Sequence, residues 1–246
     1  MALPEWYEVV EKIQPHVVKI LTPSGSGTGF FLASAPNAGV CMVATAAHVI
    51  NHAHYWEEHI RLDHEASGKS ILLRAADRAL FVDERLDTAV IVFGKDSLPL
   101  PAEPFQLAPN DKHLKVGNEI GWLGYPAVSI SNMCFFGGKI SAWVERDQAY
   151  LVDGVAINGV SGGPAFNRAE AGPVIVGVVS AYMPNRATGE ALPGVAVVRS
   201  VKQFHDLAPT FQSLNQAQEQ QSPPSQEPPP ALPSENPTPT TSRRAT

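Results

Sequence analysis

The chain has 246 residues, 44% of them hydrophobic, and a formal net charge of −6. That length suits one substantial domain or two small ones, and the composition suits an ordinary globular core. The acidic balance gives no basic footprint, which argues against nucleic acid as a partner, and no apolar run approaches the ~20 residues that span a bilayer.

The N-terminus, Met1-Ala2-Leu3-Pro4-Glu5-Trp6-Tyr7-Glu8, carries acids where a secretory signal would be basic, and no continuous apolar stretch follows. Residues 5 to 14 then read as a short amphipathic helix. Trp6, Val9, Val10 and Ile13 share one face at helical spacing, suited to packing on a first barrel, and Pro15 stops it. Short β-prone runs follow: Val17–Leu21, Gly29–Leu32, Val40–Ala44, Ile71–Arg74, Ala79–Val82 and Thr88–Phe93. Gly, Pro, Asn and Asp punctuate them, so a barrel or sandwich is expected. Cys41 and Cys134 are the two cysteines. Cys41 lies inside an apolar strand and reads as a small buried hydrophobe. Sparse cysteine agrees with a reducing compartment, and with the N-terminus it gives a cytoplasmic expectation.

Between Asn51 and Glu65 the chain holds His52, His54, His59 and His64 among Glu57, Glu58, Asp63 and Glu65. His-x-His pairs do bind zinc. The alternating hydrophilic pattern reads more simply as a solvated loop, and no second segment offers a matching ligand set, so no metal site is expected. Pro99, Pro101, Pro104 and Pro109 mark an extended connector from Lys95 to Pro109. Beyond residue 210 Gln, Ser and Pro dominate, with Pro-Pro-Pro at 228 to 230. A segment so poor in large apolar residues cannot offset its chain entropy and reads as disordered.

Three short stretches carry chemistry. Gly159-Val160-Ser161-Gly162-Gly163-Pro164 sets a serine between glycines, whose conformational freedom lets a turn aim two N–H groups at one point beside the hydroxyl. Thr45-Ala46-Ala47-His48 follows a buried strand, and an imidazole is the base a serine nucleophile needs. Asp87 opens the apolar run Thr88–Phe93, from which a carboxylate can fix the imidazole tautomer. Asp77 and Asp83 are nearby competitors, but neither leads directly into so long a strand. The order His48, Asp87, Ser161 is one of the known triad orders.

With these stretches the chain resembles a trypsin-like serine protease of the chymotrypsin fold, nearest the HtrA branch. Gly25-Ser26-Gly27-Thr28-Gly29-Phe30, Val116–Ile120 with Gly124-Tyr125-Pro126, Gly137–Ala142 and Gly177–Ala181 fit the same pattern, so the resemblance covers roughly residues 15 to 208. It implies two antiparallel β-barrels, about 15–95 and 112–200, with a short N-terminal helix, a short C-terminal helix and a tail from 209 to 246. The protease domain would span 1–208, with no PDZ-like module after it. The resemblance further implies a cofactor-free serine endopeptidase acting on protein or peptide substrates, with the Gly159 and Ser161 N–H groups as oxyanion hole. It assigns Val155, Val179, Ser180, Ala181 and Val195 to a primary pocket without charge, suited to small or medium aliphatic residues.

Two departures stand out. Val160 precedes the nucleophile where the HtrA branch usually has asparagine and zymogen-activated relatives have aspartate, so a new N-terminus finds no carboxylate. Asn158 replaces a proline. An idle trypsin-like fold serving as a binding module, and a non-peptide esterase, are the alternative readings. One expected outcome belongs to the sequence alone. Deleting residues 215–246 should leave the Tm measured by calorimetry essentially unchanged; a large drop would show that the tail docks.

Overall fold

The computed structural model describes residues 3–35, 39–94, 97–99, 101, 106–129, 131–184, 191–207 and Ser213. The tail expected from residue 209 therefore lies outside the described residues, apart from Ser213. Helix α1 (Trp6–Ile13) leads through a 3-10 turn at Gln14–His16 into the first strand set. That set comprises β1 (Val17–Thr22), β2 (Gly25–Ala35), β3 (Val40–Thr45), β4 (Ile60–His64), β5 (Lys69–Leu73), β6 (Arg78–Asp83) and β7 (Thr88–Gly94), with helix α2 (Ala47–Tyr55) between β3 and β4. The second set comprises β8 (Gln106–Leu107), β9 (Glu119–Gly124), β10 (Cys134–Val144), β11 (Ala149–Asp153), β12 (Pro164–Asn167), β13 (Val174–Pro184) and β14 (Ala191–Ser200). A short helix, α3, covers residues 202–207.

The first sheet runs β5-β4-β1-β2-β3-β7-β6 and curls as a half-barrel. The second runs β12-β9-β10-β11-β14-β13, and the β12–β13 pairing closes it into a six-stranded barrel. Among the described residues only β8 pairs in parallel, setting Gln106 and Leu107 beside Val174 and Ile175. The proline-rich connector thus ends by adding a strand to the second sheet.

Strand β7 is the spine of the first sheet. Its Thr-Ala-Val-Ile-Val-Phe run is β-branched or apolar and is buried on both faces, with β3 and β6 on its two edges. In the second barrel, Ile120, Trp122, Ile140, Tyr150, Val176 and Val198 fill the interior. Burying each such large side chain contributes about 1.5–3 kcal/mol.

Helix α1 joins both halves, where the sequence suggests contact with the first alone. Val9 and Ile13 are fully buried in the first core cluster. Trp6 lies 5.4 Å from the Phe135 ring and 6.1 Å from Phe166, and the Arg168 guanidinium sits 4.6 Å above its indole. Helix α3 adds Phe204 to the first core, edge-on to Phe30. Among the described residues no helix is long and apolar enough to cross a membrane.

The histidine-rich stretch corrects one expectation. It is not a solvated loop but helix α2 followed by strand β4, because Val49, Ile50, Ala53, Ile60 and Leu62 alternate with the polar residues and are buried. His64 is also buried. Its Nε2–H donates to the Pro15 carbonyl at 2.7 Å, and its Nδ1 lies 2.9 Å from Ser67 Oγ.

His16 makes the fold sensitive to acid. Burial, and then the nearby charge of His64, lower its pKa from 6.5 to about 4. The unfolded chain takes up this proton before the native one does, so the contribution to stability is complete above pH 6.5 and is lost as pH falls towards about 4. Urea unfolding across that window should show stability falling by up to about 1.4 kcal/mol per pH unit from this group. His16→Asn should flatten the slope; an unchanged slope would assign it to other groups.

Candidate active site

His48 stands in the first turn of α2, just after β3 ends at Thr45. The first N–H groups of a helix have no partner within it. Here the Asp87 carboxylate supplies one, accepting the His48 backbone N–H at 3.0 Å through Oδ1. The same carboxylate holds the imidazole: Nδ1 lies 2.9 Å from Oδ2 and 3.0 Å from Oδ1. A carboxylate oxygen can only accept, so Nδ1 carries a proton, and in the neutral imidazole Nε2 then holds the lone pair. The His48 side chain is 47% exposed and that of Asp87 18%, so the imidazole is reachable while its partner is sheltered.

Asp87 sits at φ +51°, in the left-handed region, in the turn just before β7. Such a backbone costs a non-glycine residue on the order of 1–3 kcal/mol. Burial pushes its carboxyl pKa up, but hydrogen bonds and charge from His48 and a bond from the Ser180 hydroxyl outweigh this, and the net pKa is lowered. The rival aspartates are engaged elsewhere. Asp83 Oδ1 accepts Leu86 N–H at 2.9 Å, and Asp77 Oδ2 accepts Arg74 N–H at 3.1 Å.

Ser161 lies in the loop between β11 and β12. Its hydroxyl donates to the Ser180 carbonyl at 3.2 Å. Asn158 O accepts Ala127 N–H at 2.7 Å and Val160 O accepts Gly163 N–H at 3.0 Å. Among the described residues no peptide is cis, so the N–H of each of these peptides points away from its bonded carbonyl. Those two groups are the Gly159 and Ser161 N–H donors, and neither meets an acceptor among the described residues. The loop depends on glycine at two places. Gly159 has φ +91° and a Cβ there would fall 2.3 Å from Tyr125 O; Gly162 has φ +87° and its Cβ would fall 2.0 Å from Thr28 O.

Thr28, buried on β2, fastens this loop to the first sheet. Its N–H donates to Ser161 O at 2.8 Å, and its hydroxyl donates to Gly159 O at 2.7 Å. That hydroxyl accepts Tyr125 N–H at 3.0 Å, and its carbonyl accepts the Thr45 hydroxyl at 2.7 Å. Thr28 stands in the Gly-rich stretch that the sequence flags, but as a neighbour of glycines rather than as a partner of the nucleophile.

The residues assigned to the pocket divide. Val179 is fully buried in the second-barrel core, with its N–H on Gly163 O and its carbonyl on Gly162 N–H. Ser180 is 1% exposed and its hydroxyl goes to Asp87, not to a substrate cavity. These two side chains do not line an open pocket, because β13 turns them toward the core and toward Asp87. Val155 is 49% exposed and Val195 half-buried on β14, facing Asp153 in the ladder. Ala181 lies on β13, and its side chain is outside the described residues. Val160 is fully buried among apolar neighbours of the second barrel.

A histidine and an aspartate from the first strand set, joined through Ser180 to a serine loop of the second, accompany a chymotrypsin-type architecture. The model of the trypsin-like peptidase domain matches residues 27–178, and the chain belongs to that family. No curated protein matches it in sequence. Among solved structures it is similar to the serine endoprotease from Yersinia pestis (TM-score 0.62, 20% identity, covering 86% of this chain and 68% of that one). It is similar to Deg5 (TM-score 0.61, 19% identity, 81% and 90% covered). It is also similar to the inactive form of Rv3671c from M. tuberculosis H37Rv (TM-score 0.57, 19% identity, 87% and 96% covered). At these identities the likeness is one of fold.

Thr28→Val tests the fastening. It keeps the shape but leaves Tyr125 N–H and Gly159 O buried and unpaired, at about 1–3 kcal/mol each. Urea unfolding should show a loss of about 2–5 kcal/mol, mostly recovered in Thr28→Ser. A loss no larger than that of an ordinary surface substitution would contradict the assignment.

Proposed function

We propose that this peptidase-family chain is a serine endopeptidase working through an acyl-enzyme. The single observation that carries the reading is the Asp87 carboxylate holding His48 Nδ1 at 2.9 Å in the tautomer that frees Nε2 as a base. Ser161 turns its hydroxyl from the Ser180 carbonyl to His48, loses its proton to Nε2 and attacks the scissile carbonyl. The tetrahedral oxyanion forms against the Gly159 and Ser161 N–H groups, which have no competing acceptor within the described chain. His48 then gives its proton to the leaving amine, and water repeats the cycle to release the acyl group. Asp87 keeps its negative charge and stabilises the imidazolium.

Two finer features follow from the same residues. Val160 is packed in apolar surroundings, which gives a cut N-terminus no carboxylate to pair with, so no N-terminal cleavage is needed to order the loop. The uncharged half-exposed Val155, with Val195, favours a small or medium aliphatic residue before the bond, since a lysine or arginine there would be desolvated without a partner.

A fluorophosphonate probe and a peptide library test the reading together. The protein as expressed should label, and Ser161→Ala or His48→Ala should each abolish labelling and nearly all cleavage. The double mutant should be little worse, because the two residues serve one step. Asp87→Asn should keep the fold and lose about 10⁴ in kcat through the wrong tautomer. Failure of the folded protein to label at neutral pH would favour an idle fold used for binding.

A further inference from the structure

Helix α2 carries more than His48. His52 and Tyr55 follow at i+4 and i+7, on the same helical face, and Trp56 caps the helix. Trp56 is 71% exposed and Tyr55 63%, two adjacent large aromatic surfaces in open solvent. Single exposed aromatics are common and need no explanation, but this pair is held unusually firmly.

Three devices fix it. The helix ends with the 6→1 bond of a Schellman motif, Glu58 N–H on Ala53 O at 3.1 Å, just after the last helical bond, Trp56 N–H on His52 O at 3.0 Å. This requires a left-handed residue at Glu57, at φ +51°, where glycine would be the easy choice. Arg78 reaches across from β6 and donates to Ala53 O at 3.1 Å, Glu58 O at 2.5 Å and Leu73 O at 2.7 Å. The Tyr55 hydroxyl donates to Glu84, and His52, paired with Glu58 at 2.9 Å, sets its ring 6.2 Å from the Trp56 indole. A strained, multiply anchored backbone that presents apolar surface to water is a ready binding surface, because little conformational entropy is left to lose.

We propose that Tyr55 and Trp56 form a subsite for a large apolar side chain of an extended polypeptide substrate, remote from the scissile bond. Trp56 follows His48 by eight positions on the helix, which at about 1.5 Å per residue is about 12 Å. An extended peptide covers that distance in three or four residues. The occupant is an aromatic or long aliphatic residue that far from the bond, since the ledge offers two ring faces and the carboxylates that touch it, Glu84 and Glu58, are already bonded to Tyr55 and His52. This rests on the proposed role of His48 and Ser161, and it deepens that role by naming how a longer substrate is selected.

The test uses the Ser161→Ala protein, which holds peptides uncut, and fluorescein-labelled peptides with Val before the bond and Phe walked one position at a time on either side. Anisotropy should show binding tighter by about tenfold or more when Phe stands three or four residues from the bond, and Trp56→Ala should erase the gain while Trp56→Phe keeps most of it. In the protein with Ser161 intact, Trp56→Ala should lower the ratio of kcat/KM for that peptide over a one-residue ester by a similar factor, chiefly through KM. A gain that persists in Trp56→Ala, or a stronger gain with Arg than with Phe, overturns the subsite. Fluorophosphonate labelling separates the two readings. Labelling without Trp56-dependent binding overturns the ledge alone, whereas Trp56-dependent binding without labelling upholds it and overturns the catalytic role.

Discussion

Thr28 is the residue through which the two halves of this protein agree on one geometry. A single buried side chain uses its hydroxyl twice, and its backbone twice more, to tie β2 to the nucleophile loop, to the end of β9 and to the end of β3. Each group is satisfied, so breaking any of them leaves a buried polar atom exposed to the full cost of desolvation. The second barrel brings Ser161 and the first brings His48, and neither sheet fixes the distance between them by itself. The threonine does so, while the two glycines beside it let backbone approach backbone where a methyl group would collide.

The Asp87 carboxylate extends that agreement to the base. It accepts the helix N–H of His48, the ring N–H of His48 and the hydroxyl of Ser180. One acceptor from the first sheet therefore positions a helix, selects a tautomer and reaches a strand of the second barrel. The left-handed backbone at Asp87 is the cost of pointing a carboxylate inward at the start of a wholly buried strand. Ser180 joins Ser161 as well, because its carbonyl receives the Ser161 hydroxyl. In the proposed mechanism, attack would begin with a rotation of that hydroxyl.

Much of this was legible in the residues, for reasons of differing strength. Continuous apolar runs such as Thr88–Phe93 and Val40–Ala44 declare buried strands, and the residue types and order of His48, Asp87 and the glycine-flanked Ser161 suggest the chemistry proposed for them. The stretch from Asn51 to Glu65 misleads, because polar histidines hide a helical period carried by Val49, Ile50 and Ala53. The bonding roles of Thr28 and Ser180 were hidden for another reason. A threonine or serine commits its hydroxyl only when tertiary structure brings a partner, and no local pattern marks that partner. Val179 illustrates the same limit on β13, where the period-two alternation is broken by a register shift between Val179 and Ala181, and side-chain direction can no longer be counted along the strand.

The family match gives the class of chemistry, and the reading proposed for the loop around Ser161, with Val160 buried in the second barrel, adds a specific site to it. The central claim is that two unpaired N–H groups, Gly159 and Ser161, converge on the oxygen of a group bonded to Ser161 Oγ. A crystal structure of the phosphonylated protein tests it most directly. The account predicts the phosphonyl oxygen within about 2.7–3.1 Å of both nitrogens, with Thr28 still bonded to Gly159 O. A phosphonyl oxygen directed to solvent, with the Gly159 N–H turned away from it, would contradict the account.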